Sequence, residues 1–82
     1  MIPPTRTITR VDARRLLCPM PVIRLQSAAK GQPQGTEIEV LATDPGVMAD
    51  IPAWCRVHGH AVTAQTTLGR EILIRVRLGP TS

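Results

Sequence analysis

Six segments in the order strand, helix, strand, helix, strand, strand predict an α+β protein, a two-layer α/β sandwich of βαβαββ order. Its sheet is mixed and four-stranded, with both helices on one face. Three observations carry this expectation. Residues 36–42 alternate, with Ile38, Val40 and Ala42 on one side and Glu37 and Glu39 on the other. Residues 71–78 repeat the pattern with Ile72, Ile74, Val76 and Leu78 against Arg75 and Arg77, and Leu68-Gly69-Arg70 joins them to residues 62–67 as a hairpin. Between the strands, Val22, Leu25, Ala28 and Ala29 fall at helical spacing.

Residues 7–12 form the first strand candidate, with Val11 directed inward. A short loop at 14–17 leads to Cys18, and the first helix is expected over 22–30. Arg24, Ser27 and Lys30 point away from its apolar stripe, as does Ile23. Gly31 and Pro33 end the helix, and Gly35 opens the next strand. Asp44-Pro45 supplies a capping carboxylate followed by a first-turn proline. Asp50 and Pro52 repeat that signal, which predicts a separate turn and then a helix over 51–58. Ile51, Trp54, Cys55 and His58, extended by Met48, make its core-facing stripe. Across the polar face of the sheet, Glu37 and Glu39 are expected to pair with Arg75 and Arg77.

The 82 residues are read as one domain, 1–82, with a core at 7–78 and tails at 1–6 and 79–82. A chain this size buries about 60% of its extended surface, and 43% hydrophobic residues suffice for a core without staples. With one Trp and no Tyr or Phe, that core is aliphatic, and base-stacking platforms for single-stranded nucleic acid are lacking. The sequence shows no signal peptide and no apolar run of membrane length, so the expectation is a soluble, cytoplasmic protein. The net charge of +4 comes from nine arginines against one lysine. It suits nucleic acid or an acidic protein partner, and equally a codon bias, so charge alone decides nothing.

Chemistry concentrates in Cys18-Pro19-Met20-Pro21. Pro19 biases Cys18 toward an extended conformation, and Pro21 suits a first helical turn. The thiol is thus expected at a helix entrance, where free N–H groups and the helix dipole favour thiolate. Arg14, Arg15 and Arg24 can all approach it. Cys55, by contrast, lies on an apolar stripe and reads as packing. Two cysteines 37 positions apart make neither a disulfide framework nor a zinc set. His58 and His60 with Cys55 offer only three ligands, on a helix end and a strand start that would have to converge, so no metal or other cofactor is expected. No histidine is placed beside Cys18, and no phosphate-binding glycine loop occurs. A nucleophile without catalytic partners suits a carrier of persulfide sulfur better than a hydrolase, and the lack of a nearby second cysteine disfavours a dithiol oxidoreductase.

Residues 11–78 resemble the TusA/SirA-type sulfur-carrier family. The likeness rests on Val11-Asp12-Ala13-Arg14, Leu16 and Cys18-Pro19-Met20-Pro21. A second block runs from Ala42-Thr43-Asp44-Pro45 through Asp50-Ile51-Pro52-Ala53-Trp54-Cys55 to Gly59-His60. The resemblance implies a βαβαββ sandwich in which Cys18 accepts sulfur from a cysteine desulfurase or a rhodanese-like donor. It implies acceptor proteins in tRNA thiolation, molybdenum-cofactor or sulfur-oxidation pathways, and no direct nucleic-acid or membrane contact. Asp12 is expected to fix the loop rather than transfer protons. Arg15 stands where the family commonly carries Gly, and Leu17 where polar residues are frequent. Leu16, Leu17, Met20 and Ile23 form a mildly apolar rim for a transient partner, while Arg14, Arg15 and Arg24 are assigned to the anionic sulfur and to steering acidic partners. The alternatives are an RNA-binding or regulatory module using the arginine-rich surface, and a redox sensor requiring a Cys18–Cys55 bond.

Overall fold

The alternating segments become strands β1 (Ile8–Ala13), β2 (Glu37–Ala42), β3 (Ala61–Leu68) and β4 (Glu71–Arg77) in the computed structural model, which describes residues 8–80. Helices α1 (Met20–Ala29) and α2 (Val47–His58) separate the first three. Thr7, expected to open the first strand, and residues 1–6, 81 and 82 of the expected tails lie outside the described residues. The sheet order is β1-β2-β4-β3, with β1 and β2 parallel and the other neighbours antiparallel. This is the mixed four-stranded sheet of a two-layer α+β sandwich.

Alternation sends Ile38, Val40, Ala42, Ile72, Ile74 and Val76 to one side of the sheet, where all are buried. They meet Leu25 and Ala29 of α1 and Val47, Ile51 and Cys55 of α2 in one aliphatic cluster. Each large aliphatic side chain removed from water here contributes about 1.5–3 kcal/mol. Leu78 joins that cluster beyond the end of β4, fixed because its N–H donates to Thr36 and its carbonyl accepts from Gly35.

The structure shifts several expected boundaries. The first helix begins at Met20, with Pro21 buried in its first turn, and Lys30 has already left it in an extended conformation. The second helix does not start at residue 51. It begins at Val47 and runs unbroken through Pro52, because the Gly46 carbonyl accepts from both Ala49 and Asp50. Pro52 therefore removes only one internal bond. With that earlier start the core stripe is Val47, Ile51 and Cys55, whereas Met48 and His58 are exposed. Trp54 is half-buried, its ring 4.8 Å from His60 and 5.2 Å from His58. Gly79 is not a loose tail residue: its N–H donates to His60 Nδ1, and a Cβ there would collide with the Gly59 carbonyl oxygen.

On the other face of the sheet, Glu39 is only 7% exposed and accepts a hydrogen bond from Arg75, its cross-strand neighbour. Arg10 adds a contact at 3.3 Å. Glu37 lies opposite Arg77 in the same register, and the expected acidic-to-basic pairing is seen at Glu39 and Arg75. The Glu39 hydrogen bond, ahead of its charge, raises the Arg75 pKa. Removing one member of such a pair leaves its partner poorly solvated. Glu39→Ala is expected to lose about 2 kcal/mol of stability in urea unfolding at neutral pH, and Glu39→Gln, which keeps an acceptor, less than half of that.

Candidate functional site

Parallel pairing sets Ala13 opposite Ala42, so β1 and β2 end together and their following loops leave the sheet side by side. The first loop carries Cys18 and the second carries Asp44. Asp12, the last outward residue of β1, anchors the first. Its carboxylate accepts the Arg14 N–H at 3.1 Å and the guanidinium at 2.8 and 2.9 Å. Those bonds draw the Asp12 carboxyl down to about 2. Arg14 also reaches Glu71 at 3.5 Å. Asp12 thus ties Arg14, the first residue of the loop, to the end of β1.

The next residue, Arg15, has φ 67° and donates its N–H to Thr43 Oγ1 at 2.9 Å. The left-handed conformation required here explains why glycine suits this position, and why arginine occupies it only with strain. Leu16 turns inward against the core, its N–H bonded to the Ala13 carbonyl.

Cys18 sits one residue before Pro19, the N-cap of α1, and its peptide bond to Pro19 is cis. Its N–H donates to Asp44 Oδ2 at 2.8 Å, while Oδ1 accepts the Gly46 N–H at 3.1 Å. One carboxylate thereby ties both loops together, and these two N–H bonds, that of Cys18 foremost, lower its pKa. The sulfur rests against Gly46, where a Cβ would lie only 2.8 Å from Sγ. Gly46 has φ −58°, open to any residue, so the space claimed by the sulfur is what demands glycine.

The expectation of a thiolate stabilised by arginines is not met. Burial pushes the Cys18 thiol up to about 12, and hydrogen bonding toward the Asp50 and Asp44 carboxylates raises it further in the same direction. Both carboxylates oppose a second negative charge beside them. Arg14, Arg15 and Arg24 instead line a neighbouring cleft of about 500 Å³ with Asp12, Leu16, Thr43 and Glu71. The apolar rim is present in part: Leu17, Met20 and Ile23 are exposed, whereas Leu16 is half-buried. Cys18 itself is half-buried, and Cys55 is 2% exposed in the core, where burial lifts its thiol to about 11. Among the described residues no group of three His, Cys, Asp or Glu could hold a metal ion.

Sequence reasoning missed Asp44, Gly46 and Asp50 as site residues. Asp44-Pro45 was legible as a helix-capping signal, but nothing in a separation of 26 residues showed that the same carboxylate reaches the Cys18 N–H. Gly46 carried no signal beyond its presence at a helix start.

Chemically, the arrangement holds a half-buried thiol beside two carboxylates that oppose its ionisation. Asp44→Asn removes one negative charge while keeping size and one acceptor. The midpoint of Cys18 alkylation by iodoacetamide, followed against pH by peptide mass analysis, is expected to fall below that of the wild type. An unchanged midpoint would show that the carboxylate does not govern ionisation. Gly46→Ala is expected to keep the fold, expel the sulfur toward solvent and increase the rate of Cys18 labelling at pH 8 several-fold. The same rate with and without the methyl group would refute the steric reading.

Sequence comparison agrees with this site. The family model for sulfurtransferase TusA matches residues 9–78. YrkI of Bacillus subtilis (strain 168) is 41% identical over 69 residues, covering 84% of this chain and 92% of that protein. The sulfur carrier protein TusA of Pseudomonas savastanoi pv. phaseolicola (strain 1448A / Race 6) is 34% identical over 70 residues, covering 85% of this chain and 83% of the relative. Its namesake in Pseudomonas syringae pv. syringae (strain B728a) is 40% identical over 55 residues, covering 67% and 66% respectively. With its cysteine loop, Asp44 clamp and βαβαββ sheet inside the matched span, the chain belongs to the TusA family of sulfur carriers.

Proposed function

We propose that Cys18 is the residue on which this sulfur carrier holds its cargo, as a persulfide, between a donor and an acceptor protein. The observation that supports this most is the contrast between the two thiols. Cys18 is half-exposed among the exposed side chains of Leu17, Met20 and Ile23, while Cys55 is sealed in the core. A carrier needs one accessible sulfur and no neighbour able to discharge it as an intramolecular disulfide.

The exchange requires no oxidant. Cys18 sulfur attacks the terminal sulfur of a donor persulfide, forming one S–S bond as the donor's S–S bond breaks and its thiolate leaves. The Cys18 proton ends on the departing donor thiolate, so the exchange balances without any other group. Delivery reverses the roles: the acceptor's thiolate takes the terminal sulfur and Cys18 regains a proton. The donor is a cysteine desulfurase or a rhodanese-type protein, the acceptor is a further protein thiol, and the exchange is cytoplasmic. No helix among the described residues is long and apolar enough to cross a membrane.

Incubation with a cysteine desulfurase and cysteine, or with a rhodanese charged with thiosulfate, is expected to add one sulfur atom to the intact mass. The addition should map to Cys18, vanish on reduction, persist in Cys55→Ala and be absent in Cys18→Ser. Failure of wild type with both donors, or an adduct that survives Cys18→Ser, would overturn the assignment.

A further inference from the structure

The three arginines that sequence reasoning grouped around the thiol differ sharply in their surroundings. Arg14 is committed to Asp12 and Glu71. Arg10 and Arg75 are likewise committed to Glu39. Arg15 and Arg24 form no ion pair among the described residues, and Asp12 feels Arg15 only as a weak through-space attraction. Both line the cleft of about 500 Å³ beside the cysteine loop. By closing on Asp12 and Glu71, Arg14 occupies the two carboxylates that could otherwise satisfy them.

Resting on the carrier reading above, we infer that Arg15 and Arg24 are the electrostatic anchor on which an acidic segment of a sulfur-exchange partner docks beside Cys18. Three observations favour a carboxylate-bearing protein segment. The two cations are uncommitted and share one cleft. The neighbouring exposed side chains are Leu17, at 75%, and Ile23, at 45%, so the surface joins cations to aliphatic contacts. No aromatic side chain lines the cleft, which deprives a nucleic-acid ligand of stacking. Arg15 further holds φ 67° where glycine would be unstrained. That strain is offset if its guanidinium takes part in binding.

The test follows thiol–disulfide exchange between Cys18 and a blocked tetraglutamyl-cysteine peptide carried as its mixed disulfide with thionitrobenzoate. Cys18 thiolate displaces thionitrobenzoate, whose colour reports the rate, and the peptide becomes disulfide-bonded to the protein. Glutamine and lysine peptides of the same length serve as comparisons. At low ionic strength the glutamate peptide is expected to react about three- to tenfold faster than the glutamine peptide, with the lysine peptide slowest. Arg15→Gly and Arg24→Ala should each shrink the glutamate-to-glutamine rate ratio, and the double variant should bring it close to one. Arg56→Ala, at the opposite end of α2, should retain it.

A preference unchanged in the double variant, or lost equally in Arg56→Ala, would overturn the anchor. So would stronger inhibition by a single-stranded oligonucleotide than by a free acidic peptide of equal charge, abolished in the double variant, since that would assign the cleft to nucleic acid. Exchange needs no sulfane-sulfur donor. Normal persulfide loading with charge-blind exchange therefore removes the anchor alone, and failed loading with charge-selective exchange removes the carrier reading alone.

Discussion

The Asp44 carboxylate is the contact on which the site depends, because it is shared between two loops that the sheet itself cannot join. Parallel strands β1 and β2 end in register at Ala13 and Ala42, and beyond that point the ladder offers nothing further. Asp44 takes over with one oxygen on the Cys18 N–H and the other on the Gly46 N–H. Thr43 adds a second tie through the Arg15 N–H. With the loops fixed together, the Cys18 sulfur has one place to rest, the space left by the missing side chain of Gly46. Bonds from an N–H to a charged acceptor are stronger than those between neutral groups. Their combined effect is positional, since they set where one sulfur atom lies.

That position puts opposing influences on the thiol. The start of α2 would favour negative charge through the positive end of the helix dipole. The Asp44 and Asp50 carboxylates oppose it, and burial opposes it more strongly still. Burial and the carboxylates prevail, and Cys18 is a neutral thiol at physiological pH. Thiolate is the form that alkylating and oxidising agents attack, so a neutral resting thiol is protected from adventitious reaction. The positive charge expected at the sulfur lies instead in the adjacent cleft. The arginine-lined cleft and the sulfur therefore occupy neighbouring surfaces, the sulfur on the one that carries Asp44 and Asp50.

The architecture was legible because alternation has a period of two and survives any tertiary context. Ile38, Val40 and Ala42, and Ile72, Ile74 and Val76, could face a core only as strands, and of their charged neighbours Glu39 and Arg75 bond across the sheet. Proline was the less reliable marker. Pro52 resembled a helix start, yet the Gly46 carbonyl had already accepted two N–H groups and the helix tolerated the loss of one later bond. The site was half legible. Cys18 and the loop-fixing part of Asp12 follow from local chemistry, but the environment of the sulfur comes from residues 26 to 32 positions away, brought near by parallel pairing. Local spacing carries no information on a contact that depends on which strands lie side by side.

Arg15 shows how that non-local geometry constrains sequence in return. The loop needs one residue at φ 67°, and glycine meets the need without strain. A non-glycine residue in this conformation gives up about 1–2 kcal/mol. The conformation itself is fixed from outside, since Thr43 on the neighbouring loop accepts the Arg15 N–H. Exchanging the side chain therefore leaves the backbone path and the Cys18–Asp44 bond in place. Only the surface changes, by one guanidinium beside that of Arg24. A position whose backbone is held by its neighbours can vary in charge without moving the sulfur, so the charge of the surface beside Cys18 is free to change while the geometry around the thiol stays fixed.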